Sequence, residues 1–227
     1  MQISFESNFN EYSKYLRDFQ KKHLPSIYRN TLNGIAFECQ RALKADLPRQ
    51  VKSPTPYTLS GIQVEKTDKR KLESKVGYVS KTFGKSKAGA GILPAEYMSR
   101  LSTGGVRIPQ KKVIAVPVLK NYKPNKFGNI KRNDISKFLS DDNKYFVGPP
   151  RGAKKPGGYG IFKRMGRGGR KNIAMLITFN DDTDYKKSYN FGQPIRQTVR
   201  KKMKREFAKH FKEVLIKKGA FTRFTTM

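Results

Sequence analysis

The chain has 227 residues and carries 49 Lys and Arg against 17 Asp and Glu, a formal net charge of +32 at pH 7. A compact protein with this imbalance repels itself, so we expect a polyanion, an acidic protein surface or a large assembly to neutralise it. The cations are spread along the whole sequence and 36% of the residues are hydrophobic. This composition excludes a disordered basic tail and predicts a folded body, which we expect to be a single domain over residues 1–227.

The sequence also limits where the protein is made. Its one cysteine, Cys39, excludes an intramolecular disulfide and a cysteine-rich zinc site. Residues 1–16 are too polar for a secretory signal, and no segment approaches the roughly 18 apolar residues of a transmembrane helix. We therefore expect synthesis in a reducing cytoplasm and no membrane partner.

Two helices are predicted in the first fifty residues. Over residues 8–23 the apolar side chains recur every three to four positions, which places them on one helical face. Residues 25–47 carry the clearest apolar stripe of the first half, and Pro48 is expected to end that helix. Residues 52–56 contain two prolines, so we expect no helix there.

A change of hydrophobic period toward two predicts a β-hairpin over residues 59–80, with a charged turn at 68–71. A glycine- and lysine-rich loop follows at 81–91, and then a short helix at 95–101 that Gly104 and Gly105 end. Residues 113–118 are predicted to form a strand. Because Pro117 removes one hydrogen-bond donor, that strand should lie at a sheet edge or a bulge.

The second half is predicted to contain a short helix at 134–139 and three strands. The strands are expected at 145–148, 160–165 and 173–179, and the last is almost wholly apolar and so central. A long amphipathic helix should begin at Gly192 or Pro194 and extend to Lys218. The predicted class is α+β, a small antiparallel sheet packed by long N-terminal and C-terminal helices, with a basic, loop-rich insertion at about 121–171.

The sequence gives little support to catalysis. His23 and His210 are far apart and lie in basic helices, and Cys39 falls on an apolar stripe, where a free cysteine acts as a small hydrophobe. The acidic clusters at 141–142 and 181–184 are typical of turns, and the second lacks the spacing of an EF-hand. The Gly-Arg segment at 166–170 lacks the ending of a P-loop. We predict a protein that is not an enzyme and has no cofactor or metal.

Binding is better supported, because residues 144–171 contain nine Lys or Arg and no acid. Interleaved glycines, with Tyr159 and Phe162, permit close approach to a phosphate chain and stacking on bases. A solvated loop or a loop that docks on an acidic protein remains an equal interpretation. The candidate contacts for a polyanion or an acidic partner are Arg151, Lys154, Lys155, Lys163, Arg164, Arg167, Arg170 and Lys171, together with Arg196 and Arg200 on the last helix.

Two sequence segments carry a family resemblance. The first is Ser53-Pro54-Thr55-Pro56-Tyr57-Thr58-Leu59-Ser60-Gly61-Ile62, after the long helix, and the second is Leu101-Ser102-Thr103-Gly104-Gly105-Val106-Arg107-Ile108-Pro109, before a strand. In this order, with a hairpin between them and a long helix at the C-terminus, the chain resembles the minor tail protein Z and tail-completion group of tailed bacteriophages.

The resemblance implies a structural virion protein without catalytic residues. Such a protein forms a ring at the head-proximal end of the tail, or in the neck, and joins the tail to the capsid. The implied partners are further copies of the chain, the tail tube or terminator, and a neck or portal-side adaptor. The resemblance also implies a possible contact with genomic DNA. The basic insertion sets this sequence apart from smaller members of the group.

Two other classes stay open. A ribosomal or other RNA-binding protein also combines basic Gly-Arg loops with an α+β core, although the single-strand-reading RNP signature is absent. A nuclease would require metal-dependent cleavage through Asp181, Asp182 or Asp184.

Overall fold

The computed structural model describes residues 9–68, 71–85, 92–107, 109, 113–149, 158–166 and 172–217. Its helices are α1 (Phe9–Lys22), α2 (Leu24–Gln50), α3 (Pro56–Ser60), α4 (Pro94–Thr103), α5 (Asp134–Ser140) and α6 (Gly192–Lys217). Its strands are β1 (Ile62–Glu65), β2 (Lys75–Tyr78), β3 (Gly105–Arg107), β4 (Ile114–Pro117), β5 (Tyr145–Gly148), β6 (Gly160–Met165), β7 (Asn172–Asn180) and β8 (Thr183–Tyr185). Long helices and small antiparallel sheets confirm the predicted α+β class.

The chain divides into two compact units, each assembled from separate segments. The helical unit comprises Met1–Arg49, Pro56–Glu96 and Asn190–Met227, and the sheet unit comprises Gln50–Thr55 and Tyr97–Tyr189. The insertion predicted at 121–171 belongs to the sheet unit and supplies α5, β5 and β6. The prediction of a single domain stays a prediction.

The core of the helical unit is built on α2. Six of its seven buried side chains recur every fourth residue, and Ala36 lies beside this row; the six are Ile27, Thr31, Ile35, Cys39, Leu43 and Leu47. Thr31 fits this apolar row because its hydroxyl donates to the Ile27 carbonyl, 2.8 Å away. The end predicted at Pro48 is wrong by two residues, since α2 continues to Gln50. One missing amide donor in the last turn removes a single hydrogen bond, and the burial of Leu47 holds that turn in place.

The predicted hairpin is confirmed as the antiparallel pair of β1 and β2, in which Ile62 lies opposite Tyr78. It is tied to α2 by the Asn33 side chain, which accepts from the Thr67 amide at 2.9 Å and donates to the Thr67 carbonyl. Leu59, predicted within the hairpin, lies in α3 instead. That helix begins at Pro56, where no helix was expected, because a proline is well placed in the first turn, whose amide groups have no intrahelical partner.

The sheet unit contains a four-stranded antiparallel sheet in the order β4-β7-β6-β5. The central position of β7 and the edge position of β4, which ends at Pro117, were both predicted. Ile161 and Ile177 are completely buried and form its core with Leu176, Tyr122 and Phe138. The Tyr122 hydroxyl joins α5 to this core, because it donates to the Asp134 carboxylate at 2.7 Å and accepts from the Lys131 amide at 2.9 Å.

The sheet unit also contains a two-stranded sheet that was not predicted. In it β3 pairs with β8, so that Val106 lies opposite Asp184. The segment 181–184, expected to be a turn, is therefore partly a strand. Strands of three residues are too short for an alternating pattern to identify them.

The approach of β6 to β7 yields a first prediction. A Cβ atom at Gly160 would lie 2.2 Å from the Ile177 carbonyl oxygen, so Gly160→Ala forces the two strands apart. We expect a loss of about 1–3 kcal/mol in the free energy of unfolding, measured by urea denaturation. Gly77→Ala in β2 is the control, since its Cβ would meet only the Phe83 ring at 3.4 Å. That change should be neutral or stabilising by about 0.5 kcal/mol, and equal losses in both variants would contradict the explanation.

Candidate polyanion-binding surface

The longest run of exposed cations in the described residues lies on α6. The helix begins as predicted at Gly192, and the Asn190 side chain accepts from the Gln193 amide at 3.2 Å, as an N-terminal cap does. Lys, Arg, Met, Glu and Ala, all strong helix formers, dominate the sequence that follows. The apolar stripe predicted for this helix is half-buried, and only Thr198 is classed as fully buried.

We call the exposed Lys and Arg residues of α6 its cationic face. They are Arg196, Arg200, Lys201, Lys204, Arg205, Lys209, Lys212 and Lys217. Another exposed charged side chain of this helix is that of Glu213, which is 45% exposed and bonds to His210. Among the residues that the structure describes, none of the eight forms an ion pair. At 1.5 Å per residue the face is about 32 Å long.

The repulsion between these cations destabilises α6. Arg196 and Arg200 are four residues apart, as are Lys201 and Arg205, and like charges at this spacing each cost about 0.2–0.5 kcal/mol. An ordinary solvated helix avoids that cost by alternating acids with bases. The face therefore holds a local excess of positive charge that an external polyanion or acidic surface would neutralise.

The two acids of α6 are directed toward a histidine on the same helix. His210 Nδ1 lies 3.0 Å from the Glu213 carboxylate, and its Nε2 lies 3.9 Å from Glu206. The hydrogen bond with His210 lowers the pKa of Glu213, and Lys209 and Lys217 add smaller contributions. His210 is thus a partly buried residue between two carboxylates.

An ion-pair cluster holds α6 against α2. Glu38 of α2 is only 15% exposed and pairs with Lys202 of α6 and with Arg41. The hydrogen bond from Lys202 lowers the pKa of Glu38, aided by Arg41 and opposed by the burial of the carboxylate. The helices also approach closely at Gly34, where an added Cβ would lie 3.1 Å from Glu206 Oε2.

Beside the cationic face the helical unit has a groove of about 550 Å³, which we call the apolar groove. It is lined by Tyr28, Thr31, Leu32, Leu72, Met203, Lys204 and Phe207. Tyr28 and Leu72 are 43% and 45% exposed. Large apolar side chains are therefore left in water on the same helix pair that carries the cations.

The predicted contact residues do not all lie together in the structure. Arg196 and Arg200 lie together on the cationic face, next to six further cations. Lys163 and Arg164 lie on β6 in the sheet unit, where Lys163 is exposed. The other six, Arg151, Lys154, Lys155, Arg167, Arg170 and Lys171, lie outside the described residues.

Arg164 is engaged within the sheet unit. Its guanidinium donates to the carbonyl of Tyr145 at 2.6 Å and to that of Asp142, and it lies 4.9 Å from the centre of the Phe146 ring. These contacts fix the start of β5 against β6. Lys163, in contrast, has its side chain in solvent.

Two residues considered for catalysis, His23 and Cys39, are packed against other side chains or buried. His23 packs on Phe19 at 5.3 Å between ring centres, and Cys39 is buried, which raises the pKa of its thiol. No group of three or more His, Cys, Asp and Glu in the described residues is placed to hold a metal ion. No helix in the described ranges is long and apolar enough to span a bilayer.

Comparisons of the chain with protein-family models, with curated proteins and with solved structures find no match.

The Glu38 cluster yields a second prediction. Because the pKa of Glu38 in the folded protein lies below its ordinary value of 4.5, the ionised carboxylate stabilises the fold above about pH 4.5. That stabilisation is lost as the pH falls through the folded pKa. Glu38→Gln should therefore lower the free energy of unfolding by about 1–3 kcal/mol at pH 7 and flatten its decline below pH 4.5, measured by urea denaturation across pH.

The control for this prediction is Glu73→Gln. The pKa of Glu73 is also lowered, by hydrogen bonds from Lys71 and Lys75, but these pairs are exposed and solvent screens them. A loss in the Glu73 variant as large as that in the Glu38 variant would show that the cluster has no special role in joining α2 to α6.

Proposed function

We propose that this protein is a structural virion protein of a tailed phage, a tail-completion or neck protein that forms a ring at the head-proximal end of the tail and joins tail to capsid. The observation that carries the proposal is the presence of two open docking surfaces, the apolar groove and the cationic face, on one helix pair. The resemblance of the segments 53–62 and 101–109 to the tail-completion group supports the same role.

The apolar groove supports assembly with other proteins. Burial of its exposed side chains would gain roughly 25 cal/mol per Å² of apolar surface, which is the main driving force of subunit association. A separate apolar side chain, Leu16 of α1, is 65% exposed on the same unit. A groove and a separate protruding residue fit a head-to-tail contact, the kind that closes into a ring.

The charge of the chain supports a position inside a larger particle. Copies with a net charge of +32 repel each other, so a ring of them needs acidic neighbours or a polyanion to be stable. We propose that these neighbours are the tail tube or terminator and a neck or portal-side adaptor. The output of the protein is then mechanical assembly in the virion, without catalysis.

The apolar groove favours a protein-binding role over the RNA-binding alternative. A phosphate chain is bound by cations and stacking aromatics and leaves an apolar groove unused. A protein partner fills it.

The proposal predicts a discrete oligomer in the absence of nucleic acid. Nuclease-treated protein in about 0.5 M salt, where the screening length is short, should form closed rings of uniform mass by native mass spectrometry and electron microscopy. Leu72→Glu places a charge in the groove and should reduce the rings to smaller species.

Leu119→Glu is the matched control, because it changes an equally apolar residue, 71% exposed, in the sheet unit. It adds the same charge and should leave the rings intact. A monomer that retains stoichiometric RNA through nuclease treatment would instead favour the RNA-binding class.

A further inference from the structure

We propose that the cationic face of α6 binds the phosphate backbone of double-stranded DNA without reading its sequence. The inference concerns the partner of one surface and does not depend on the virion role, since a DNA contact can be measured whether or not the protein forms rings.

The spacing of the charges fits a phosphate chain. Eight cations over about 32 Å give roughly one charge every 4 Å along the helix axis. Each strand of duplex DNA carries one phosphate per about 3.4 Å of its axis. The face is also nearly as long as one turn of the duplex, about 34 Å. The charges lie in two neighbouring rows, one with Arg196, Arg200 and Lys204 and one with Lys201, Arg205 and Lys209, so α6 can meet phosphates on either of its exposed sides.

The composition of the face favours phosphate over an acidic protein. From Gln193 to Lys217 the exposed residues of α6 are Lys, Arg, two glutamines, Ala208 and, next to the last cation, Ile216. Protein interfaces have apolar or aromatic centres from which Lys is depleted, and this face has no such centre. The apolar groove, which shares Lys204 with the face, supplies the protein-docking chemistry.

Duplex DNA fits better than RNA for two reasons. The face carries no aromatic side chain, so it lacks the stacking platform on which proteins hold single-stranded bases. The major groove of duplex RNA is deep and narrow, whereas that of DNA is about 12 Å wide and admits a helix.

The face is also held in place before any ligand arrives. Phe207 packs on Tyr28 at 5.8 Å between ring centres, Phe211 packs on Phe19 at 5.7 Å, and Lys202 pairs with Glu38. Because α6 is fixed against α2 and α1, little further ordering of its backbone opposes binding.

The test is fluorescence anisotropy with a 30-base-pair DNA duplex and a matched RNA duplex, over a series of salt concentrations. The variant Arg196→Gln, Arg200→Gln, Lys204→Gln removes three charges from the face. The control variant Lys120→Gln, Lys123→Gln, Lys137→Gln removes three exposed charges from the sheet unit. Both variants have the same net charge and keep all the other basic segments.

We expect the face variant to bind DNA at least about tenfold more weakly at 100 mM salt. The slope of log affinity against log salt should become shallower by about 2–3, because each lost phosphate contact removes about 0.9. The control should lose less than about threefold and keep its slope. Equal losses in the two variants, no loss in the face variant, or tighter binding of RNA than of DNA would each overturn the proposal.

A footprint on the unaltered protein removes any dependence on the folding of the variants. Acetylation of lysines, followed by mass spectrometry, should show Lys201, Lys204, Lys209 and Lys212 protected by DNA while Lys120 and Lys123 stay reactive. Protection confined to lysines outside α6 would also overturn the proposal.

Discussion

The contact between α2 and α6 is the interaction on which the helical unit depends. It joins residues far apart in the chain, since Glu38 and Lys202 are separated by 164 positions. Tyr28 meets Phe207, and Cys39 lies near Ile195, so the two helices are antiparallel along the contact. Apart from Gln50, the last residue of α2, all residues of the sheet unit come between these helices in sequence. The helical unit is therefore complete only when the two ends of the chain have met, a long-range closure that slows folding.

This contact also explains how a strongly basic helix is tolerated. The half-buried side of α6 packs on α2 and directs its two acids toward His210, while Glu38 neutralises the inward-facing Lys202. The remaining cations are left to the outer side, where water screens them until a partner arrives. Packing thus sorts the charges of the helix into a neutralised inner set and a free outer set.

The sequence predicted the elements whose apolar residues follow a regular period and missed the elements that have no such period. The strands β5 and β6 were located to the residue, and β7 within one residue at each end, because their apolar runs are bounded by clear turn residues. The pairing of β3 with β8 has no such pattern, and α3 begins at a proline that was expected to exclude a helix.

The candidate site was predicted only in part for the same reason. Arg196 and Arg200 were predicted because a helical period places them on a polar face. Periodicity does not indicate that the Arg164 guanidinium is bound to backbone carbonyls and lies over an aromatic ring. The apolar groove was not predicted. It arises where Leu72, which precedes β2, lies beside two helices, and periodicity within one segment carries no information about such a junction.

The lone thiol gives the helix pair a built-in reporter. Cys39 is 2% exposed, and its sulfur lies 4.0 Å from the Ile195 carbonyl at the junction of α2 and α6. A bulky alkylating reagent can reach it only after the junction separates. The speed at which the native protein is labelled therefore reports how often the two helices come apart, at one defined place and without any engineered probe.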